Sequence, residues 1–499
     1  MLFQFWSTLM HLSRLFRGTF IYGLGQFLAR AVTFFLLPLY TSYLSPEDYG
    51  VFGSLAVLGM MMNGLLTLGF GGSLTRTYWT LEKEEDKGAL IWTGFLTLLF
   101  NACLWDSFAY LFSDQLSIWL FGVSDYAWPV FLSFFGISLS ATLYPLLSYF
   151  RIREKAVLSI TLYLSEVFVS IGATLFFVVF KGDGALGLVK GALSAQAWAF
   201  FITFSVALRQ IPLGVHVKYL RELILVGYPF ILGLFGYFLL QSSARYILHL
   251  YTDLKVVGLF CVGLYFARPV ELAVNSFNTA WQPFFSSYLY QQEEAKVLFG
   301  KVMSYYLMGM CLLIAPLFTM AKALTYYMLH PAYHQTWSTI GLLGVSQSLW
   351  GAYVISAAPF LFHKKSIWQV SVETLAGLVC VGMNFALIPS LGKEGGALAT
   401  FFGFVAVIVL SIWATRRLLK VQYEVGRLLK MLCGFCVTAI ASFIPIDFGL
   451  QYLSLMFFVT FLYYAFLWKI CLTLDEKTLI ISKIRGLVGL QHNLTVSNQ

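Results

Sequence analysis

Charge is what this chain has least of. Only 11% of its 499 residues are Asp, Glu, Lys or Arg, while 59% are hydrophobic and the mean hydropathy is +0.78. Soluble globular domains carry roughly a quarter charged residues, so a polytopic membrane protein is expected rather than a water-soluble one. Paired cysteine is scarce too. The seven are scattered singly, apart from Cys433 and Cys436 in CGFC, which sit inside an apolar run with no second pair or histidine beside them. Zinc sites need about four converging ligands, so no metal site and no cofactor is expected. No GxxxxGK[ST] loop occurs, which argues against an ATP motor within this chain. The start, MLFQFWSTLMHLSRLFRG, has no small-residue cleavage site and runs straight into the first apolar stretch, so it reads as an amphipathic lead-in.

What is present is long hydrophobic runs. Segments able to cross about 30 Å of hydrocarbon fall at 18–40, 50–70, 89–112, 127–150, 157–180, 186–208, 225–248, 256–282, 302–322, 336–362, 366–389, 395–415, 431–446 and 450–471. The fold class is therefore all-α, a polytopic membrane protein of about fourteen transmembrane helices with short connections. The formal charge of +9 could suggest nucleic acid, but its distribution assigns it to topology, and no nucleic acid partner is expected. With the N-terminus inside, 24 of the lysines and arginines fall on the cytoplasmic side and four on the other. That bias predicts an even number of spans with both termini cytoplasmic.

An internal repeat is visible at a nearly constant offset. LGLVKGALSA (186–195) matches LGKEGGALAT (391–400) at 205 residues, Glu166 matches Glu373 at 207, and the Gly–Phe core of YGVFG (49–53) matches that of VGLFCVG (257–263) at 208. Two pseudo-symmetric six-helix lobes are expected, residues 1–209 and 210–417, followed by two C-terminal helices and a tail in 418–499. Two like halves with no large loops describe a transporter that rocks between two faces.

The stretch LYFARPVELAVNSFNTAWQ (264–282) places Arg268, Glu271, Asn275, Asn278 and Gln282 at spacings of three, four, three and four. On a helix these share one face. A charge at the bilayer centre costs roughly 2.5–3.5 kcal/mol even on the gentler insertion scale, so the stripe is expected to line an enclosed, wet cavity. Arg30 lies roughly 18 Å into the first span at 1.5 Å per residue, on a face with Thr19, Gln26 and Thr33. Guanidinium holds phosphate through paired hydrogen bonds without changing protonation, so two deep arginines predict an anionic ligand, with a diphosphate a natural fit. The competing arrangement is an ion pair between Arg268 and Glu271, one turn apart. Lys190 and Arg245 lie near outer span ends, where they either reach the ligand or extend to the interface. Glu166, Glu271 and Glu373 are also deep and are candidate sites for H⁺ or Na⁺ coupling, or structural partners of the arginines. Asn275, Asn278 and Gln282 suit sugar hydroxyls, because amides both donate and accept. A sequon at Asn493 falls in a predicted cytoplasmic tail and is discounted.

Three stretches carry a family resemblance. YGLGQFLARAVTFFLLPLYTSYLSPEDYGVFG (22–53), SARYILHLYTDLKVVGLFCVGLYFARPVELAVNSFNTAWQPF (243–284) and NFALIPSLGKEGGALAT (384–400) resemble the bacterial polysaccharide transporters and O-antigen flippases of the multidrug/oligosaccharidyl-lipid/polysaccharide exporter superfamily. The likeness covers most of residues 20–420. It implies fourteen helices in two lobes around a central cavity, in the bacterial cytoplasmic membrane. It also implies ion-coupled transfer of an undecaprenyl-diphosphate-linked glycan, such as an O-antigen repeat unit of lipopolysaccharide, to the outer leaflet. Membrane lipids and glycan assembly machinery would be its partners. Related lipid II flippases use cavity arginines in the first and eighth helices, where Arg30 and Arg268 stand. Family members often have Asp before the arginine ending span seven, whereas here Ala244 precedes Arg245. The alternatives are a cation-coupled multidrug exporter of the same superfamily and, against the short outer loops, a membrane glycosyltransferase or polymerase.

Overall fold

The computed structural model describes residues 25, 27, 29–288, 291–363, 365–442, 444 and 449–487. The lead-in, Thr19, Gln26 and Asn493 lie outside the described residues. All regular structure among the described residues is helical, as a bilayer demands of backbone groups that find no partner in hydrocarbon.

The first half of the chain contains α1 (29–43, with a turn at Leu36), α2 (Pro46–Thr67), α3 (Phe70–Thr80), α4 (Glu84–Leu111), α5 (Ser113–Phe121), α6 (Ala127–Thr142), α7 (Tyr144–Ile152), α8 (Ala156–Leu175) and α9 (Gly184–Gln210). There follow α10 (Val217–Tyr251), α11 (Leu254–Ser287), α12 (Gln292–Thr319), α13 (Ala321–Met328), α14 (Trp337–Phe362), α15 (Ser366–Thr415), α16 (Val425–Ala441), α17 (Leu450–Phe466) and α18 (Leu474–Leu487).

Ten helical segments among the described residues are long and apolar enough to cross a membrane, against about fourteen expected from hydropathy. The difference falls at four places. The first span is only partly described. The seventh lies in the 35-residue α10, and the thirteenth is the 17-residue α16. The eleventh and twelfth form one apolar segment within α15, bent at Gly392 (φ 55°, ψ −129°). That bend reverses the chain. A Cβ on Gly403 would lie 2.6 Å from the Cβ of Cys380, and one on Gly395 would lie 2.4 Å from the Leu387 carbonyl. Both pairs centre on the bend, so the two halves of α15 pack antiparallel.

Segments expected on the same side of the membrane meet. At one end Arg153 pairs with Glu84 at 3.0 Å, Lys155 reaches Gln210 at 2.6 Å, and the Gln422 N–H donates to the Lys296 carbonyl at 2.8 Å. At the other end the Ala185 N–H donates to Asp48 at 2.8 Å and the Tyr333 hydroxyl to the Leu44 carbonyl at 2.9 Å.

The starts of α2 and α11 are near copies of each other at the 208-residue offset. Ser45 caps α2 through the Asp48 N–H, and Asp253 caps α11 through the Val256 N–H. A Cβ on Gly50 would sit 2.0 Å from the Leu254 carbonyl oxygen, and one on Gly258 would sit 1.7 Å from that of Pro46. Each partner is the other's equivalent, so the two helices cross through a reciprocal, local two-fold contact in which only glycine fits.

Several apolar clusters surround this crossing. One joins Phe70, Leu74, Leu90, Phe95 and Phe150 with Tyr219 and Leu223 from the first turns of α10. The last turns of α10, at Ala244 and Leu248, pack instead with Val257 and Phe260 of α11. Helix α10 thus begins in the core of the first half and ends in that of the second. Helices α16 and α17 lean on α12 through Met431, Tyr463 and Ala315, with Thr319 and Thr460 hydroxyls 2.7 Å apart.

Candidate functional site

Of the polar stripe of α11, Arg268 and Glu271 line a cavity and Asn275, Asn278 and Gln282 do not, while the helix's opposite face is committed to packing. Val270, Val274, Trp281 and Phe285 are buried in one cluster with Phe299, Tyr306 and Ile355. Two adjoining chambers of about 280 Å³ each share Arg268 and Glu271. The first also takes Arg30 and Thr33 from α1 and Tyr163 from α8. The second takes Tyr49 and Met60 from α2, Tyr237, Gln241 and Arg245 from α10, Tyr265 from α11 and Gln347 from α14.

Within this space the charges are not paired as one helix alone would pair them. Glu271 bonds across to α1, with its carboxylate 3.5 Å from Arg30, while both side chains keep 28–42% of their surface open. Arg268 instead lies over the Tyr265 ring, 3.8 Å from its centre, an arrangement that holds a guanidinium by its face. Its N–H edge makes no ion pair among the described residues. One Arg30 nitrogen, Nη1, is buried with no hydrogen-bond partner among the described residues.

Arg245 belongs to the chamber rather than to the interface. Its Nη2 donates to Ser242 at 3.0 Å and to the Gln241 carbonyl at 3.4 Å, and its Nε has no partner among the described residues. Neither Arg245 nor Arg268 forms an ion pair with a carboxylate among the described residues. The chamber therefore gathers three arginines around a single acid.

The other residues singled out from the sequence lie elsewhere. Lys190 bonds to Asp183 at 2.6 Å beside the Phe177 ring and lines none of these chambers. Glu373 is buried, accepting from the Tyr353 hydroxyl at 2.6 Å and the Gln369 amide at 3.1 Å, where α15 packs on Gly236 of α10. Glu166 sits one turn from Tyr163 on α8, without an ion pair or hydrogen bond among the described residues. Asn275 and Gln282 are exposed further along α11, and Asn278 keeps a buried, unpartnered Oδ1. Sequence reasoning passed over Gln241, Tyr265, Gln347 and Met60. Gln241 carried a signal, one turn before Arg245 on the same helix face. Gln347, whose amide donates to Gln241 at 3.1 Å, sits between Ser346 and Ser348 without a periodic polar stripe and carried none.

A helical bundle of this kind, with a polar chamber walled by helices from both halves, defines a multi-pass membrane protein with a transporter fold. The sequence profile of the polysaccharide biosynthesis protein family matches residues 15–289, and the chain belongs to that family. No curated protein sequence matches it. Among solved structures it is similar to the lipid II flippase MurJ in an inward closed conformation, at 13% identity and TM-score 0.70, over 94% of this chain and 100% of that one. An inward-facing multidrug resistance MATE family transporter of the MOP superfamily matches at 13% identity and TM-score 0.66, over 77% and 94%. A MOP superfamily transporter from Pyrococcus furiosus matches at 15% identity and TM-score 0.53, over 81% and 95%. These likenesses describe the fold. The proteins they name are transporters and flippases rather than catalysts of covalent chemistry.

Proposed function

We propose that this chain is a flippase for a polyprenyl-diphosphate-linked oligosaccharide, such as an O-antigen repeat unit, moving it from the inner to the outer leaflet of a bacterial cytoplasmic membrane. The observation that carries this reading is the chamber itself, with Arg30, Arg245 and Arg268 set against the one carboxylate of Glu271. A net cationic cavity suits a diphosphate and repels the cationic substrates of a multidrug exporter. The lipid tail stays in the bilayer, and both termini are cytoplasmic.

Residues 1–209 and 210–417 act as the two rocking lobes, with 418–499 added at the end. The reciprocal contact of Gly50 and Gly258 supports that division. Glu271 is the coupling candidate best placed for H⁺ or Na⁺, because it competes directly with a phosphate for Arg30. Glu166 and Glu373 act at a distance, and Lys190, Asn275, Asn278 and Gln282 are contacts for other conformations of the cycle.

Arg30→Ala and Arg268→Ala test the reading in a flippase-deficient strain. Truncating one partner of a buried charge pair loses about 2–5 kcal/mol, so each variant should abolish surface glycan while remaining in the membrane. Wild-type glycan in both variants overturns the diphosphate clamp. Dye efflux that depends on this chain supports the exporter instead.

A further inference from the structure

Beside the arginine chamber lies a larger hollow, of about 400 Å³, between α2, α6, α7 and α9. That volume is within the usual range for small-molecule sites, roughly 300–1,000 Å³. No Asp, Glu, Lys, Arg or His lines it. Besides Thr67, whose hydroxyl donates to the Asn63 carbonyl, its polar side chains are the amides of Asn63 and Gln196, the hydroxyls of Ser133 and Ser140, and the Tyr144 phenol, set among aliphatic and aromatic walls. None of these five side chains hydrogen-bonds another described residue through its polar atoms.

Gln196 has space made for it. A Cβ on Gly136 would fall 1.9 Å from its Oε1, so only glycine lets the carboxamide lie against α6. The hollow also adjoins the arginine chamber, with Phe52, Ala56 and Met60 lining both.

The lining selects among ligands. An organic cation would need a carboxylate here and finds none. An acyl chain would leave the amides and hydroxyls desolvated and without partners. Amides and hydroxyls that both donate and accept, next to apolar faces, suit a neutral ligand rich in hydroxyl groups. We propose that this hollow is the glycan subsite, holding the sugars nearest the diphosphate while the arginines hold the diphosphate. The proposal rests on the flippase reading and extends it to five residues on helices of the first half.

The test is equilibrium binding to the purified full chain of two probes, undecaprenyl diphosphate and the same lipid bearing N-acetylglucosamine. Wild type should bind the glycosylated probe at least tenfold more tightly. N63A/Q196A should lose that preference while binding the bare diphosphate within twofold of wild type, which also reports that the protein is folded. Ser140→Phe, which fills the hollow from its wall, should do the same. R30A/R268A should weaken both probes and keep their ratio. Equal wild-type affinities, or an equal loss of both probes in N63A/Q196A and S140F, overturns the subsite. If R30A/R268A changes neither probe while N63A/Q196A still loses the sugar preference, the diphosphate clamp fails and the subsite stands.

Discussion

The crossing of α2 and α11 makes a quantitative prediction about Gly50 and Gly258. A methyl group at Gly258 would lie 1.7 Å from the Pro46 carbonyl oxygen, and one at Gly50 would lie 2.0 Å from that of Leu254. Both obstacles are backbone, which no rotamer change removes, so the helices must move apart by roughly an ångström. Overpacking of this kind costs typically 1–3 kcal/mol, offset in part by the helix preference of Ala over Gly, about 1 kcal/mol. Gly50→Ala and Gly258→Ala should therefore each lower stability by up to about 2 kcal/mol, and should fall about 1–3 kcal/mol below a helical Gly→Ala that meets no obstacle, a gap of a few degrees in apparent melting temperature. The two contacts are related by the local two-fold, so one separation relieves both. The double variant should then melt close to the worse single variant rather than at the sum of the two. Thermal unfolding of the purified protein, followed by tryptophan fluorescence, reads all four corners of the cycle. Gly309→Ala in α12 is the control, because nothing lies within 4 Å of its Cβ position. Single variants that melt like the control, or losses that simply add, refute the reciprocal contact.

Two further predictions concern the ends of the chain's second half. Burial alone would raise the Glu476 carboxyl, but hydrogen bonds from Tyr305, the Thr473 N–H and Arg427 hold it down at about 2, against an ordinary 4.5. The charged form is the bound one, so its stabilisation is full above about pH 4.5 and is lost as pH falls toward 2. Discounted for solvent screening, Glu476→Gln should release α18 at a loss of about 1–2 kcal/mol at neutral pH. Limited proteolysis after Lys477 should detect that release, and the gap to wild type should close under acid. At the bend of α15, Gly392→Ala imposes a side chain on φ 55°, ψ −129°. A loss of about 1–3 kcal/mol follows, and a melting temperature equal to wild type would show that the bend tolerates a Cβ.

Much of the architecture was legible in the sequence. Apolar length and the Gly–Phe repeat located most helices and the paired starts of α2 and α11, because both signals are local. The face of α11 was equally plain from spacing. What spacing does not encode is the neighbour that covers a face. Arg268 and Glu271 share a face one turn apart, yet Glu271 bonds to Arg30 and Arg268 to the Tyr265 ring, since α1 brings a competing cation that no local pattern announces. Glu373 looked equivalent to Glu166, but the hairpin of α15 turns it into a packed seam against α10 and Tyr353. Lys190 met an acid seven residues earlier, two turns back at the N-cap of its own helix. Asn63, Tyr144 and Gln196 come singly from three helices and Ser133 and Ser140 from a fourth, so only the tertiary structure assembles them.

The glycine crossing and the chambers also constrain each other. Helices α2 and α11 touch backbone to backbone within their first two turns, while Asn63 near the far end of α2 and Asn275 and Gln282 along α11 are exposed. A pair of helices fused at one end and open at the other leaves a wedge between them. The chamber of Arg245 and Arg268 lies against both helices, and Met60 of α2 lines both it and the neutral hollow. In the flippase reading, a lipid-linked ligand enters this wedge from the open end, and its diphosphate meets Arg30 only by displacing Glu271. Release to the other side then requires the Gly50–Gly258 contact to part. Glycine at that crossing permits a tight seal.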